Sequence, residues 1–438
     1  MDDKPLRDLL DGALAGEPPI GPVVQNSLAA GIRLRRRRRI RAAAATAAAA
    51  VIAVAIPAGL AASGHLLRPA EPNQRPAAPT LYVYSIGYTG SPGGTVTPVN
   101  TATGTPGKPT HVAAGSCWDC PDQIVITPDG KTVYVTSGST VTPISTATGT
   151  PGKPIHVRGG PTRGMVITPD SKTVYAPTGS TVTPISTATG TPGKPIHVGG
   201  GPADRVGSIA ITPDGKTAYV TGPGTVTPIS TATGTPGTPI RVGQRYGAIA
   251  GNIAITPDGK TAYVIDGSGT VTPISTATNT PGTPIRLGQP SAIAGNIAIT
   301  PDGKTVYAAI GSTVTPISTA TGTPGTPIQV GGGPDGGGGQ IVITPDGKTA
   351  YVTGPGTVTP ISTATNTPGP PILIGRAGDS PSTDQIVITP DGKIVYVTTG
   401  SATTGSGVMP ISTATNTPGK PIRVADSMYA GQVIAITP

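Results

Sequence analysis

Phenylalanine is absent from the 438 residues, tryptophan occurs once, and aromatic residues reach only 3%. A core built on large rings is excluded; whatever packs here packs with small and branched side chains. Two cysteines cannot staple a chain of this length, so a disulfide-framed scaffold is excluded as well. Charged residues make up 12%, about half the usual share of a soluble domain. Glutamate occurs only as Glu17 and Glu71. Glycine and proline, by contrast, number 64 and 52. At that density most helices would break, which argues against a large helical enzyme. Glycine does not recur every third residue, so a collagen helix is excluded too. Disorder and a turn-rich β repeat remain, and repetition along the chain decides for the repeat.

The formal charge of +9 is unevenly placed. Residues 1–41 hold nine Lys/Arg and five Asp/Glu, with seven arginines between Arg33 and Arg41. The rest has 21 basic and 16 acidic residues, too dilute for a nucleic-acid footprint, so no nucleic-acid partner is expected. The arginine run abuts residues 42–62, which carry no charge and include 13 alanines with Val51, Ile52, Val54, Ile56 and Leu60. As a helix this segment spans about 31 Å, enough to cross the hydrocarbon core. The arginine flank places residues 1–41 in the cytoplasm, as a short basic tail. The expectation is a single-pass cell-membrane protein anchored by one transmembrane helix at 42–62, with everything beyond it extracytoplasmic. A cleaved signal, processed among the small residues around Leu60 to Ser63, is the alternative and would give a secreted protein. Leu6, Leu9, Leu10 and Leu14 have helical spacing, and either dock a cytoplasmic partner or belong to a loose tail. Residues 63–80, rich in Pro and Ala, read as a stiff tether.

From Leu81 onward one phrase repeats. Its turn aspartates are Asp129, Asp170, Asp214, Asp258, Asp302, Asp346 and Asp391, in steps of 41 to 45 residues. That period, with several short strands per unit, is the signature of a propeller blade. In residues 209–242 the strand candidates are Ile209–Thr212, Thr217–Thr221, Thr225–Ser230 and Pro239–Val242, rich in Val, Ile and Thr. Pro213-Asp214-Gly215-Lys216 makes the first turn. The second-, third- and fourth-strand motifs each occur eight times. The first occurs seven times internally, and its eighth copy, Val433–Thr437, ends the sequence. The expected fold is therefore all-β: a propeller of four-stranded antiparallel blades over residues 81–438, closed by the C-terminal strand. Eight blades are counted, with seven as the alternative.

Tyr134-Val135-Thr136, Tyr219-Val220-Thr221 and Tyr396-Val397-Thr398 follow the Pro-Asp-Gly turn and precede a Thr-Val-x-x-Ile strand. In this the chain resembles the YVTN-type β-propeller repeat proteins of bacterial and archaeal surfaces. The resemblance implies an extracytoplasmic binding module, commonly seven-bladed, related to quinoprotein-like and lactonase-like propellers. Three departures stand out. The units count to eight. Serine (Ser145, Ser230, Ser362) replaces the usual acidic residue after the third strand's Ile, and a proline interrupts that strand every time, as at Pro143, Pro228 and Pro360. A bulge or a skipped ladder bond is expected at the proline.

Candidates for chemistry are few. His111, His156 and His197 occupy one repeat position in successive blades, where later copies have Arg241, Arg286, Gln329, Leu373 and Arg423. Such a tolerant position is no metal triad. Gly331–Gly339 with Asp335 offers only a single faint copy of a calcium-loop pattern. There is no phosphate loop and no nucleophile elbow. No metal, cofactor or catalytic residue is expected. Cys117-Trp118-Asp119-Cys120 holds both cysteines and the only Trp, and outside a membrane a Cys117–Cys120 disulfide is the first reading. Variation concentrates in the segments linking each fourth strand to the next first strand. They carry Trp118, Asp119, Arg163, Asp204, Arg205, Arg245, Tyr246, Arg376, Asp379 and Asp384, which form the candidate ligand-binding face. Either these are unselected solvent loops or they recognise a protein, polysaccharide or cell-wall ligand. The competing function is a propeller enzyme of lactonase, lyase or quinoprotein-like type, which the scarcity of acids and histidines opposes.

Overall fold

Each repeat alternates runs of β-branched residues with Gly- and Pro-bearing turns, and the chain answers with short antiparallel strands joined by tight hairpins. The computed structural model describes residues 79–438 except 87–92, 114–122, 158–163, 199–205, 243–249, 267, 288–294, 331–338, 375–384, 402–404 and 426–431. No helix occurs among the described residues. The expected span at 42–62, the tail before it and most of the tether lie outside them.

Blades are numbered from the one begun at Thr80. Blade 4 shows the plan, with Ile209–Ile211 innermost, then Thr217–Gly222, Thr225–Ser230 and Ile240–Arg241 outermost, paired in that order. Blades 2, 3 and 5 to 8 repeat it. In blade 1 the inner strand is Gln432–Ile436, hydrogen-bonded to Thr80–Ile86 with Leu81 opposite Ile436 and Tyr84 opposite Val433. Thr437 N–H donates to Thr80 O at 3.0 Å, and Thr80 N–H donates to Thr437 Oγ1 at 2.8 Å. Inner strands of neighbouring blades touch in an unbroken cycle of eight. The chain is an eight-bladed β-propeller.

The core lies between blades, in eight separate clusters. Ala210, Tyr219, Val226 and Ile240 of blade 4 meet Ile253, Ile255, Ala262 and Ile274 of blade 5. On the other face of blade 4, Ile209, Ile211, Ala218 and Ile229 meet Tyr175, Val182 and Ile196 of blade 3. Strand alternation thus feeds two interfaces at once. Mostly small and branched side chains, with one tyrosine per blade and two in blade 1 (Tyr82 and Tyr84), fit between sheets buried on both faces, which accords with the missing phenylalanine.

The proline in the third strand does not produce a bulge. Tyr219 faces Pro228 in unbroken register, as do the corresponding pairs of the other blades. Pro228 O accepts from Gly237 N–H at 2.7 Å, so the nitrogen that lacks a hydrogen also faces outward. There the outer strand pairs only through Ile240 and Arg241, and the skipped ladder bond falls in the gap. A Cβ on Gly237 would lie 3.1 Å from Pro228 Cγ, and the matching glycines in the other blades meet their prolines at 3.0 to 3.2 Å. The Pro and the Gly are therefore one packing unit.

Deleting residues 432–438 would expose the inner edge of blade 1 and remove Ile434 and Ile436 from the cluster shared with blade 8. At roughly 1.5–3 kcal/mol per buried side chain, the loss of about 3–6 kcal/mol is a large part of the roughly 5–15 kcal/mol stability of a typical domain. Calorimetry of the truncated protein should show a melting temperature lower by about 5 °C or more, or aggregation; an unchanged value would contradict closure by this strand.

Candidate functional site

The ring has two unlike faces. On one, the turn between first and second strands is fixed by its aspartate. Asp214 Oδ1 accepts from Thr212 Oγ1 at 2.7 Å and from Lys216 N–H at 3.0 Å, while Lys216 Nζ lies 3.6 Å from Oδ2. Partial burial opposes ionisation of Asp214, but these hydrogen bonds and the Lys216 charge outweigh it, holding the carboxyl below the ordinary range. The same causes lower Asp170, Asp258, Asp302, Asp346 and Asp391. A carboxylate so engaged is an acceptor built into a turn, poorly suited to act as a base.

On this face each second-strand tyrosine reaches the following blade. The hydroxyls of Tyr219, Tyr307 and Tyr351 donate to Asn279, Asn366 and Asn416 Oδ1, each at 2.6 Å. Tyr396 of blade 8 donates to Thr101 O of blade 1 at 3.4 Å, carrying the girdle across the closure. These three asparagines have φ of 56°, 55° and 54°, and the other five blades place glycine there, because the turn requires the left-handed region. The Asn/Gly alternation visible in the sequence therefore marks which blades accept a tyrosine bond on a side-chain oxygen, beyond the backbone oxygens that Tyr175 and Tyr396 reach.

The opposite face carries the hairpins between second and third strands and the ends joined by the variable segments. Each segment departs from an outer strand, as at Val157 or Val242, and re-enters at an inner strand, as at Met165 or Asn252. The described ends of these segments thus belong to the outer strand of one blade and the inner strand of the next. Trp118, Asp119, Arg163, Asp204, Arg205, Arg245, Tyr246, Arg376, Asp379 and Asp384, with Cys117 and Cys120, all lie outside the described residues.

Two features of this rim were missed by reading the sequence. The residue before the inner-strand Ile-x-Ile stretch is polar in most blades, and in blades 2 and 5 its side chain bridges to the next blade. Gln123 Oε1 accepts from Met165 N–H at 2.8 Å, and Asn252 Nδ2 donates to Asn296 Oδ1. The recurrence of Gln, Ser or Asn immediately before the apolar strand was the available signal. The second is Asp266, a buried carboxylate whose Oδ1 accepts from Ser268 Oγ at 2.6 Å and from the amides of Ser268 and Thr270 at 3.0 Å. It organises the hairpin of blade 5.

His111, His156 and His197 are exposed, each on the outer strand of its own blade opposite Thr95, Thr140 and Thr181. Among the described residues no three His, Cys, Asp or Glu gather as a metal-binding group. A shallow cleft of about 450 Å³ between the outer edges of blades 4 and 5 is walled by Pro228, Pro239 and Pro281, with Arg241 as its charged side chain.

No family model matches the chain, and no curated protein matches it in sequence. Solved structures match its fold. A structure of the dihydro-heme d1 dehydrogenase NirN in complex with DHE aligns with a TM-score of 0.61 at 14% identity, over 81% of this chain and 74% of that one. A hydrazine synthase chain of Kuenenia stuttgartiensis aligns at 0.50 and 22% identity, over 73% of this chain and 99% of its own. The likeness is one of fold.

Burial, reinforced by the neighbouring turn aspartates, pushes Tyr219, Tyr307, Tyr351 and Tyr396 up to about 12. A folded value above the unfolded value of about 10 contributes stability below pH 10 that is lost as pH rises through 12. Absorbance at 295 nm and near-ultraviolet circular dichroism, followed together, should show these phenols ionising with unfolding between about pH 10 and 12. Complete ionisation near pH 10 with an intact dichroism spectrum would refute their burial.

Proposed function

We propose that this chain is a membrane-anchored, extracytoplasmic binding ring whose variable rim recognises a protein, polysaccharide or cell-wall ligand without turnover. The observation that carries the reading is an internal contrast. Strands and tight turns are near copies in all eight blades, whereas the segments meeting at one rim differ in every blade. Those segments mix arginine, aspartate, Trp118 and Tyr246, and Arg and aromatic residues carry much of the energy at interfaces. The turn carboxylates of the opposite face are committed to hydrogen bonds, which leaves acid–base catalysis few players there. Anchoring rests on residues 33–62, and the YVTN-type resemblance supports the extracytoplasmic location.

A propeller enzyme of lactonase, lyase or quinoprotein-like type is the second reading. It draws on the two structural neighbours, named as a dehydrogenase and a synthase, whose identities of 14% and 22% carry the fold alone.

Full-length protein should be retained on isolated cell-wall polysaccharide or on intact cells. The variant W118A/R245A/Y246A should weaken retention about tenfold or more with an unchanged melting temperature. Retention lost instead on replacing Lys216 and Lys260, on the opposite face, would reverse the face assignment. Turnover of a lactone or of a quinone-linked substrate by the purified protein would replace binding with catalysis. Protease applied to intact cells should remove the propeller and spare the cytoplasmic tail; a protected propeller would overturn the topology.

A further inference from the structure

The outer edge of the ring is not uniform. After the Pro-Gly of the turn before the outer strand, blades 8, 1, 2 and 3 place Lys420, Lys108, Lys153 and Lys194. Blades 4, 5 and 6 place Thr238, Thr283 and Thr326 there, and blade 7 places Pro370. Three residues further on, the cationic side chain Arg423 or one of the three histidines accompanies each lysine, and Arg241 and Arg286 extend the arc into blades 4 and 5. Gln329 and Leu373 leave blades 6 and 7 uncharged, and Leu373 is 68% exposed.

Because the closing strand brings blade 8 against blade 1, the four lysines stand on contiguous blades although Lys420 is remote from the others in sequence. All four are exposed. Among the described residues, lysine–aspartate ion pairs occur only within the first turns, as Lys216 with Asp214, and none involves these outer lysines. The only other carboxylate described, Asp266, is buried in its hairpin. Among the described residues, a modest excess of charge is thus gathered into an arc on the convex edge that no ion pair neutralises.

We propose that this arc docks a flexible linear polyanion, a polyphosphate or poly(phosphodiester) chain that follows the edge from blade 8 to blade 3. A repeat of one lysine per blade suits a polymer with regularly spaced negative charge, which gains by releasing its condensed counterions. A flat bilayer would touch a convex edge at only a few of these clusters. A nucleic acid would want exposed tyrosine or tryptophan for base stacking, and the described outer strands present none. The arc uses other residues than the variable rim and stands whether or not that rim binds a ligand.

Amine labelling of the full-length protein, read by mass spectrometry with and without long-chain inorganic polyphosphate, tests this directly. Polyphosphate should protect Lys108, Lys153, Lys194 and Lys420 while Lys216, Lys260 and Lys304 label as before. This readout is not confused by binding to the Arg33–Arg41 run. The variant K108T/K153T/K194T/K420T uses the residue that blades 4 to 6 already carry, so it should fold normally. Its salt dependence of polyphosphate affinity should be shallower by about 3 in log–log slope. Equal protection of all lysines, no protection, or an unchanged slope would overturn the proposal. Stronger protection of the same four lysines by anionic phospholipid vesicles would assign the arc to a membrane instead, and by single-stranded DNA to nucleic acid.

Discussion

Every blade of this propeller is a thin sheet with no interior of its own, and burial of its two faces depends on the blades at either side. That constraint governs the rest of the structure. Inner-strand isoleucines face one neighbour while the alanine or valine between them faces the other, so each repeat contributes to two of the eight clusters. Such a ring has no natural end, and an open one would leave two apolar faces in water. The permuted closure, with Gln432–Ile436 completing the blade begun at Thr80, resolves this by making the last strand a partner of the first.

Glycine and proline, which at first sight argue for disorder, are here instruments of the same packing. Pro228 is tolerated because its missing N–H faces a gap in the outer ladder, and Gly237 is required because the proline ring lies against it. On one face the turn aspartates and the tyrosine–asparagine bonds bind neighbouring elements into a polar girdle. On the other face Gln123 and Asn252 make comparable bridges beside the channel. The rigid ring between them is a platform, and it leaves the segments at one rim free to vary without cost to the core.

Fold alone does not choose between binding and catalysis, since propellers of similar shape occur among proteins named for redox and synthetic chemistry. The binding reading rests on where variation is concentrated and on the commitment of the turn carboxylates. The proposed basic arc on the outer edge would be a second surface with its own chemistry, built from residues other than those of the variable segments.

The sequence alone determined the β class and the repeat, because strand alternation and turn chemistry are local and are written afresh in each copy; it counted eight blades with a permuted closure, against a seven-bladed alternative that the closed ring of eight inner strands decided. It located the variable segments, although their candidate residues lie outside the described structure. It did not reveal that the Pro in the third strand would leave the register intact, nor that Asn279 marks a bond from Tyr219 some sixty residues earlier. Nor did it show Lys420 joining Lys108, Lys153 and Lys194 in one arc. Each of these depends on which blade stands beside which, and on which side of a strand a backbone group points. Those relations arise only when the ring closes and brings distant copies into contact.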